Sequence, residues 1–264
     1  MRARWPVWTA LGVVAAGAGV LLVGPPVWLV DRLAATFPGC LYRVRTHERL
    51  VALTLDDGPD ENTTPLILAE LRRHAARATF FLIGERVPGR EVLVRRLVEE
   101  GHELGNHFMR DRPAIRLDSE DLARDLDQSH TLLEPFAQVR WARPGSGWYS
   151  RETVAAMSRK GYGCALGSVY PYDATIPSSA FAGRYILRNV RPGAVIVLHD
   201  GGGRGRRSAR TLGAVLPELR RRGYRVVALS ELALAGNGPP PHRGSTEGGG
   251  PRPTSTTLPQ RGSW

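Results

Sequence analysis

Short apolar runs alternate along the chain with longer stretches in which apolar positions recur every three or four residues. Runs of the first kind read as buried strands and stretches of the second kind as amphipathic helices. The pattern predicts seven strands, over Val51–Leu55, Ala78–Ile83, Glu103–Asn106, Val139–Ala142, Gly163–Gly167, Ala194–Leu198 and Arg225–Leu229. Helices fit between them: Thr64 can cap one that carries Pro65 in its first turn, and Ser150 can cap another. Gly101-His102, Gly161-Tyr162 and Gly223-Tyr224 each stand where a helix gives way to a strand, as glycine helix stops do. Strands and helices in strict alternation predict a parallel α/β fold. About seven strands in one domain, over residues 50–235, suit a (β/α) barrel or a deformed version of it.

The two ends depart from this alternation. Trp5 to Val30 contains no charged residue, Val7 to Val23 is apolar or small throughout, and Arg2 and Arg4 precede it. Such a span approaches the ~20 residues that cross a bilayer, so residues 1–30 are expected to form an N-terminal transmembrane anchor. A cleaved signal peptide is the competing reading, supplied with small residues by Ala15, Ala16 and Ala18. Residues 31–49 read as a linker. Residues 236–264 are rich in Gly, Pro, Ser and Thr with almost no aliphatic side chains, the composition of a disordered tail.

Composition narrows the function classes. The formal net charge of +11 over 264 residues calls for an anionic partner to be considered, but no zinc-finger spacing, heptad or aromatic-basic interleaving marks a nucleic-acid reader. Arg204, Arg206, Arg207, Arg210 and the Arg220–Arg222 run would carry a third possibility, a basic protein bound to an anionic polymer; they read as the solvated face of a helix. Two cysteines, Cys40 and Cys164, exclude a cysteine-built zinc cluster and leave either one disulfide or two separate thiols.

Candidate chemistry collects where strands end. Asp56 and Asp57 follow the first predicted strand, His107 the third, Arg143 the fourth, and His199 with Asp200 the sixth. In parallel α/β folds those carboxyl ends form one face, on which side chains from distant segments meet. Taken singly, Asp56-Asp57-Gly58-Pro59 reads as a turn, His107 as a hydrogen-bonded structural histidine with His199 open to the same reading, and Arg143 as a surface residue. Taken together, carboxylates and imidazoles from several loops suit metal-assisted hydrolysis, with one carboxylate as base and a separate imidazole as acid.

Four segments carry a family resemblance. Thr54-Leu55-Asp56-Asp57-Gly58-Pro59, Gly101-His102-Glu103-Leu104-Gly105-Asn106-His107, Ala142-Arg143-Pro144-Gly145-Ser146-Gly147 and Val195-Ile196-Val197-Leu198-His199-Asp200 resemble, in order, motifs of the polysaccharide deacetylases of carbohydrate esterase family four, the NodB-like domain. The resemblance implies a deformed (β/α) barrel, one divalent metal ion such as zinc, and removal of N-acetyl groups from an extracytoplasmic amino-sugar polymer, peptidoglycan first and chitin-like oligosaccharide second. It implies Asp56 as general base, Arg143 as its orienting partner, Asp57 and His107 as metal ligands, and His199 as general acid. Tyr170-Pro171-Tyr172-Asp173 stands in the place of a further motif, with Asp173 holding His199.

The chain departs from the family in two respects. The second ligand histidine, four residues after the first, is replaced by Asp111. On a helical turn residues four apart share a side, so Asp111 is expected as the third metal ligand, against a capping or salt-bridge role. Ser146 and Ala174 replace a tyrosine and a tryptophan of the sugar groove, leaving Ser146, Trp148 and Tyr149 as candidate substrate contacts. The altered ligand motivates a non-enzymatic alternative, a glycan-binding pseudoenzyme of the same fold.

Overall fold

The computed structural model describes residue 32, residues 35–36, 39–145 and 149–236. The predicted anchor in residues 1–30, most of the predicted tail, Ser146 and Trp148 lie outside the described residues. Among those described, no helix is long and apolar enough to cross a membrane.

Eight parallel strands form one sheet: β1 (Cys40–Leu41), β2 (Leu50–Gly58), β3 (Thr79–Leu82), β4 (Glu103–Asn106), β5 (Trp141–Ala142), β6 (Gly163–Ala165), β7 (Val195–His199) and β8 (Arg225–Val227). Their order is β1-β6-β5-β4-β3-β2-β7, with β8 paired to the start of β2. All pairings between these strands are parallel; an isolated antiparallel bridge joins Arg43 to Ala194, and the sheet curls back on itself through a parallel bridge from Val169, just after β6, to Ile196 in β7. The result is a curled parallel sheet consistent with a deformed (β/α) barrel. Every one of the seven predicted strands is present, and β1 is the addition, inside the stretch read as a linker. There Leu41, Tyr42 and Val44 are buried.

Seven helices of more than one turn accompany the sheet among the described residues: α1 (Thr64–Arg73), α2 (Glu91–Glu99), α3 (Ser119–Leu133), α4 (Arg151–Arg159), α5 (Ser179–Asn189), α6 (Gly202–Arg221) and α7 (Leu229–Leu234). Three share one stop signal. Gly101, Gly161 and Gly223 have φ of 82°, 79° and 78°, and the amide of the next residue, His102, Tyr162 or Tyr224, reaches back to Leu97, Met157 or Leu219 at 3.0, 3.0 and 2.9 Å. This is the six-to-one closure of a left-handed helix end, which a side chain at the glycine would strain.

Helix starts follow the sequence less closely. Ser150 caps α4 in a reciprocal box with Thr153. Thr64, expected as a cap, is instead the first residue of α1; Thr63 precedes it, and neither hydroxyl caps the helix. The hydroxyls of both threonines donate to the buried carboxylate of Asp200, a stronger acceptor than a neutral carbonyl, and Asp60 Oδ1 takes the Asn62 and Thr63 amides.

Strand β2 shows why the site sits where it does. Its nine residues are all buried. Val51, Leu53 and Leu55 join the cluster that contains Ile67, Leu68 and Leu71 of α1, while Leu50 and Ala52 join an inner cluster with Phe81, Trp141 and Val195. The same alternation carries the inner row on to Thr54 and Asp56. The inner face therefore runs from an apolar floor to a polar rim within one strand.

Candidate active site

The rim begins with the two aspartates, which a regular strand would turn to opposite faces. Pairing with β3 slips between Asp56 and Gly58, and Asp57 takes a left-handed φ of 70°. That conformation is uncommon outside glycine, though Asp tolerates it better than most, and residues held so cluster at functional sites. The consequence is that both carboxylates line one cavity of about 710 Å³, together with His107, Asp111, Arg143, Tyr149, Tyr170, His199 and Arg204 among others.

Asp56 is bound tightly to Arg143. Arg143 Nη1 donates to Asp56 Oδ1 at 2.5 Å and to Thr54 Oγ1 at 2.8 Å, while its Nε and Nη2 donate to the carbonyls of Ala165 and Leu166 at 2.9 and 2.8 Å. Its guanidinium lies 4.1 Å from the centroid of the Phe81 ring. A buried guanidinium with this many partners has one orientation, and so has the carboxylate it holds.

Across the β2–β7 pairing His199 stands in register with Asp56. Both oxygens of Asp173 lie 3.0 Å from His199 Nδ1, and Asp173 Oδ2 also accepts the His199 amide at 3.0 Å. With Nδ1 so engaged, Nε2 is the nitrogen left for a ligand. Burial by itself would lower the His199 pKa, but the hydrogen bond and charge of Asp173, with Asp56 and Asp57 behind it, outweigh burial and raise it.

Asp57 and His107 form the third element. His107 Nδ1 lies 2.7 Å from the carbonyl of Arg143 and takes the proton there, so that Nε2 faces Asp57 Oδ1 at 3.5 Å. Burial opposes ionisation of Asp57, yet the His107 ring, which in its protonated form donates from Nε2, together with the charges of His107, His199 and Arg204, brings its pKa down to about 2; a cation would take that proton's place on Nε2. An ionised carboxylate and an imidazole nitrogen, both buried and turned toward the same cavity, are a fitting pair of ligands for a borderline divalent cation.

Asp111 is the expected ligand that is not gathered with them. Its carboxylate lies 3.5 Å from Arg86 Nη2 and is 43% exposed, and no group of three His, Cys, Asp or Glu side chains placed to hold a metal occurs among the described residues. The physical reason lies in the backbone. The residues after β4 form bends rather than a helix, and Phe108 has a φ of 66°, so four-residue spacing does not bring Asp111 onto the side of His107. Asp111 lines the cavity all the same.

Several contributors escaped the sequence reading. Arg204, assigned to a solvated helix face, places Nη1 3.0 Å from Asp57 Oδ2 at the start of α6. Tyr170 stands edge-on to His199 with ring centroids 5.9 Å apart, and Tyr42, ahead of the predicted domain, hydrogen-bonds Tyr149 through its hydroxyl. Asp200, noted only as the neighbour of His199, is a buried clasp: burial lifts its pKa to about 6 against the hydrogen bonds of Thr63, Thr64 and Gly201, which tie the end of β7 to α1. Cys40 and Cys164 are register partners in β1 and β6, with their buried thiols 3.1 Å apart.

Comparison with known proteins places this geometry in context. The family model described as polysaccharide deacetylase matches residues 43–165. A peptidoglycan-N-acetylglucosamine deacetylase of Bacillus cereus is 34% identical over 194 residues, 72% of this chain and 91% of the relative. A chitooligosaccharide deacetylase of Bradyrhizobium is 32% identical over 198 residues, 70% of this chain and 90% of the relative. Among solved structures, a mutant of a CE4 family pseudoenzyme with restored enzymatic activity superimposes with a TM-score of 0.68 at 27% identity, covering 74% of this chain and 71% of that one.

Proposed function

Because the chain belongs to the polysaccharide deacetylase family, hydrolases of amide carbon–nitrogen bonds, we propose that it removes N-acetyl groups from an amino-sugar polymer, peptidoglycan first and chitin-like oligosaccharide second. One observation carries this reading. Two buried acid-base pairs, Asp56 with Arg143 and His199 with Asp173, stand in register on adjacent strands and line a single cavity.

In this reading Asp56 takes a proton from the attacking water, and Arg143 fixes the direction of its free oxygen. His199 carries its exchangeable proton on Nε2 and gives it to the departing amine nitrogen, with Asp173 stabilising the charged ring meanwhile. Asp57 and His107 would hold a divalent cation, zinc or a similar ion, with Asp111 as the third candidate donor. Such a cation supplies Lewis acidity toward the amide carbonyl and the water. Tyr149 and Tyr170 offer aromatic faces to a sugar ring. The pattern of residues 1–30 suggests an extracytoplasmic domain held at a membrane, which fractionation of cells expressing the full chain tests.

The pairing of Asp111 with Arg86 favours a second reading, a glycan-binding pseudoenzyme. Acetate release decides between the two. Protein reloaded with a divalent cation should release acetate from N-acetylglucosamine oligomers or from peptidoglycan. Binding of either glycan without acetate release would establish the pseudoenzyme.

A further inference from the structure

Cys40 and Cys164 take no part in the chemistry above. They are register partners on the neighbouring parallel strands β1 and β6, so their side chains leave the sheet on one face, and both join the larger core cluster. Both are buried, with their Sγ atoms 3.1 Å apart. A covalent S–S bond measures about 2.05 Å, so the two thiols need approach each other by only about 1 Å to close one. No group of three His, Cys, Asp or Glu side chains that could hold a metal occurs among the described residues, so the pair is not part of a metal cluster there.

The pair lies beside the main cavity. Strand β1 is two residues long and stands at the edge of the sheet, with β6 as its strand neighbour. Two residues beyond Cys40, Tyr42 lines that cavity and hydrogen-bonds the Tyr149 hydroxyl. On the other strand, Ala165 and Leu166 directly follow Cys164, and their carbonyls hold the Arg143 guanidinium at 2.9 and 2.8 Å. A short edge strand contributes little pairing of its own, so a cross-link at Cys40 would fix the segment that carries Tyr42 to the strand that orients Arg143.

We propose that Cys40 and Cys164 form a disulfide in the functioning protein, and that this bond is a redox-sensitive clasp on the Tyr42 wall of the main cavity. The oxidant is a disulfide, either oxidised glutathione or the active-site disulfide of a thiol oxidoreductase. The hydrogen bond with Cys40, and burial, hold the Cys164 thiol well above its ordinary pKa, so the first step falls to Cys40 on the edge strand. Its thiolate attacks one sulfur of the oxidant and releases the other as a thiolate. Cys164 then loses its proton and displaces the first from Cys40. The two cysteines give up two protons and two electrons, and the oxidant's disulfide becomes two thiols.

The test equilibrates the folded full chain in glutathione buffers of graded ratio, then alkylates it under denaturing conditions and measures its intact mass. We expect the oxidised chain to be lighter by two hydrogens and to take no alkyl group, and the reduced chain to take two. Reduction should lower the melting midpoint by about 5–15 °C, because a cross-link between residues 124 positions apart restricts the unfolded chain. It should also quicken hydrogen exchange over residues 39–44 at least tenfold. Cys40→Ala and Cys164→Ala should each melt at a midpoint that reductant does not move; the measurements on the parent chain stand should either variant fail to fold. Two alkylated thiols, or glutathione adducts in place of an internal bond, after equilibration in the most oxidised buffer overturn the disulfide. A disulfide whose reduction moves neither the melting midpoint nor the exchange over residues 39–44 overturns the clasp. Acetate release enters none of these readouts, so the clasp and the deacetylase reading stand or fall separately.

Discussion

The two flanks of the main cavity are built to different standards. On one, Asp56 and His199 are each held by a buried partner, and the hydrogen-bond capacity of Arg143 is nearly spent on the fold itself. On the other, Asp57 and His107 face each other at 3.5 Å, Arg204 leans on Asp57, and Asp111 turns to Arg86. Groups that move protons need fixed geometry before substrate arrives, and backbone carbonyls and buried ion pairs provide it. Groups that hold a cation gain their order when it binds, because unpaired ligands repel or recruit other partners without it. The difference suggests that damage to the first flank is seen in turnover, and damage to the second in cation affinity.

The largest effect should come from the proton-transfer flank. His199→Ala is expected to lower kcat for acetate release by about 10²–10⁴-fold, the usual worth of a positioned acid. Asp173→Asn sharpens the comparison through pH. The acid works while protonated, so activity falls as pH rises through its pKa. Removing the charge that raises that pKa should move the alkaline limb of the profile to lower pH. An unmoved limb would assign the acid's role to another group.

On the opposite flank, His107→Ala should weaken cation binding by more than about a hundredfold, beyond what loss of a ligand's supporting partner costs, with the circular dichroism spectrum unchanged. A smaller effect, about tenfold, is expected for Asp111→Ala, whose carboxylate would have to leave Arg86 to reach a cation; Asp111→His should match or exceed the parent affinity. Identical affinity in the parent and both Asp111 variants would place that residue outside the coordination sphere and leave it as the partner of Arg86.

A separate effect, on stability and not on the site, lies away from both flanks. Burial pushes the pKa of His102 down to about 4, and its Nδ1 accepts the Ala78 amide at 3.3 Å. As pH falls below the unfolded-state value of ~6.5, the unfolded chain takes up this proton before the folded one does, so stability drains away between about pH 6.5 and 4. The loss amounts to something on the order of 3 kcal/mol. Denaturant titration of His102→Gln should show a shallower acid slope than the parent over that window, and parallel slopes would contradict the assignment.

Much of this molecule is legible in its sequence because strand runs and glycine stops are local signals. Gly101, Gly161 and Gly223 announce their joints through a backbone requirement that few other residues meet. The convergence of Asp56, Arg143 and His199 follows from the rule that strand ends share a face. What was missed depends on tertiary placement. Strand β1 has two residues, too few for any period, and is recognisable only by its pairing with β6. Arg204 sits in a basic helical stretch that looks solvated until α6 is seen to start against Asp57. For Asp111 the spacing was sound but the helix it presupposed is absent. Thr64 carries a cap residue's chemistry, and a buried carboxylate 136 positions away in sequence claims it.

The division of labour between the two adjacent aspartates is tested most directly by measuring cation content, by elemental analysis, in Asp56→Asn and Asp57→Asn after loading and dialysis, alongside acetate release. We expect Asp56→Asn to keep its cation and lose turnover, and Asp57→Asn to lose both. An Asp56→Asn protein without cation beside an Asp57→Asn protein that retains it would show that the kink at Asp57 serves the opposite assignment, with Asp56 the ligand and Asp57 the base.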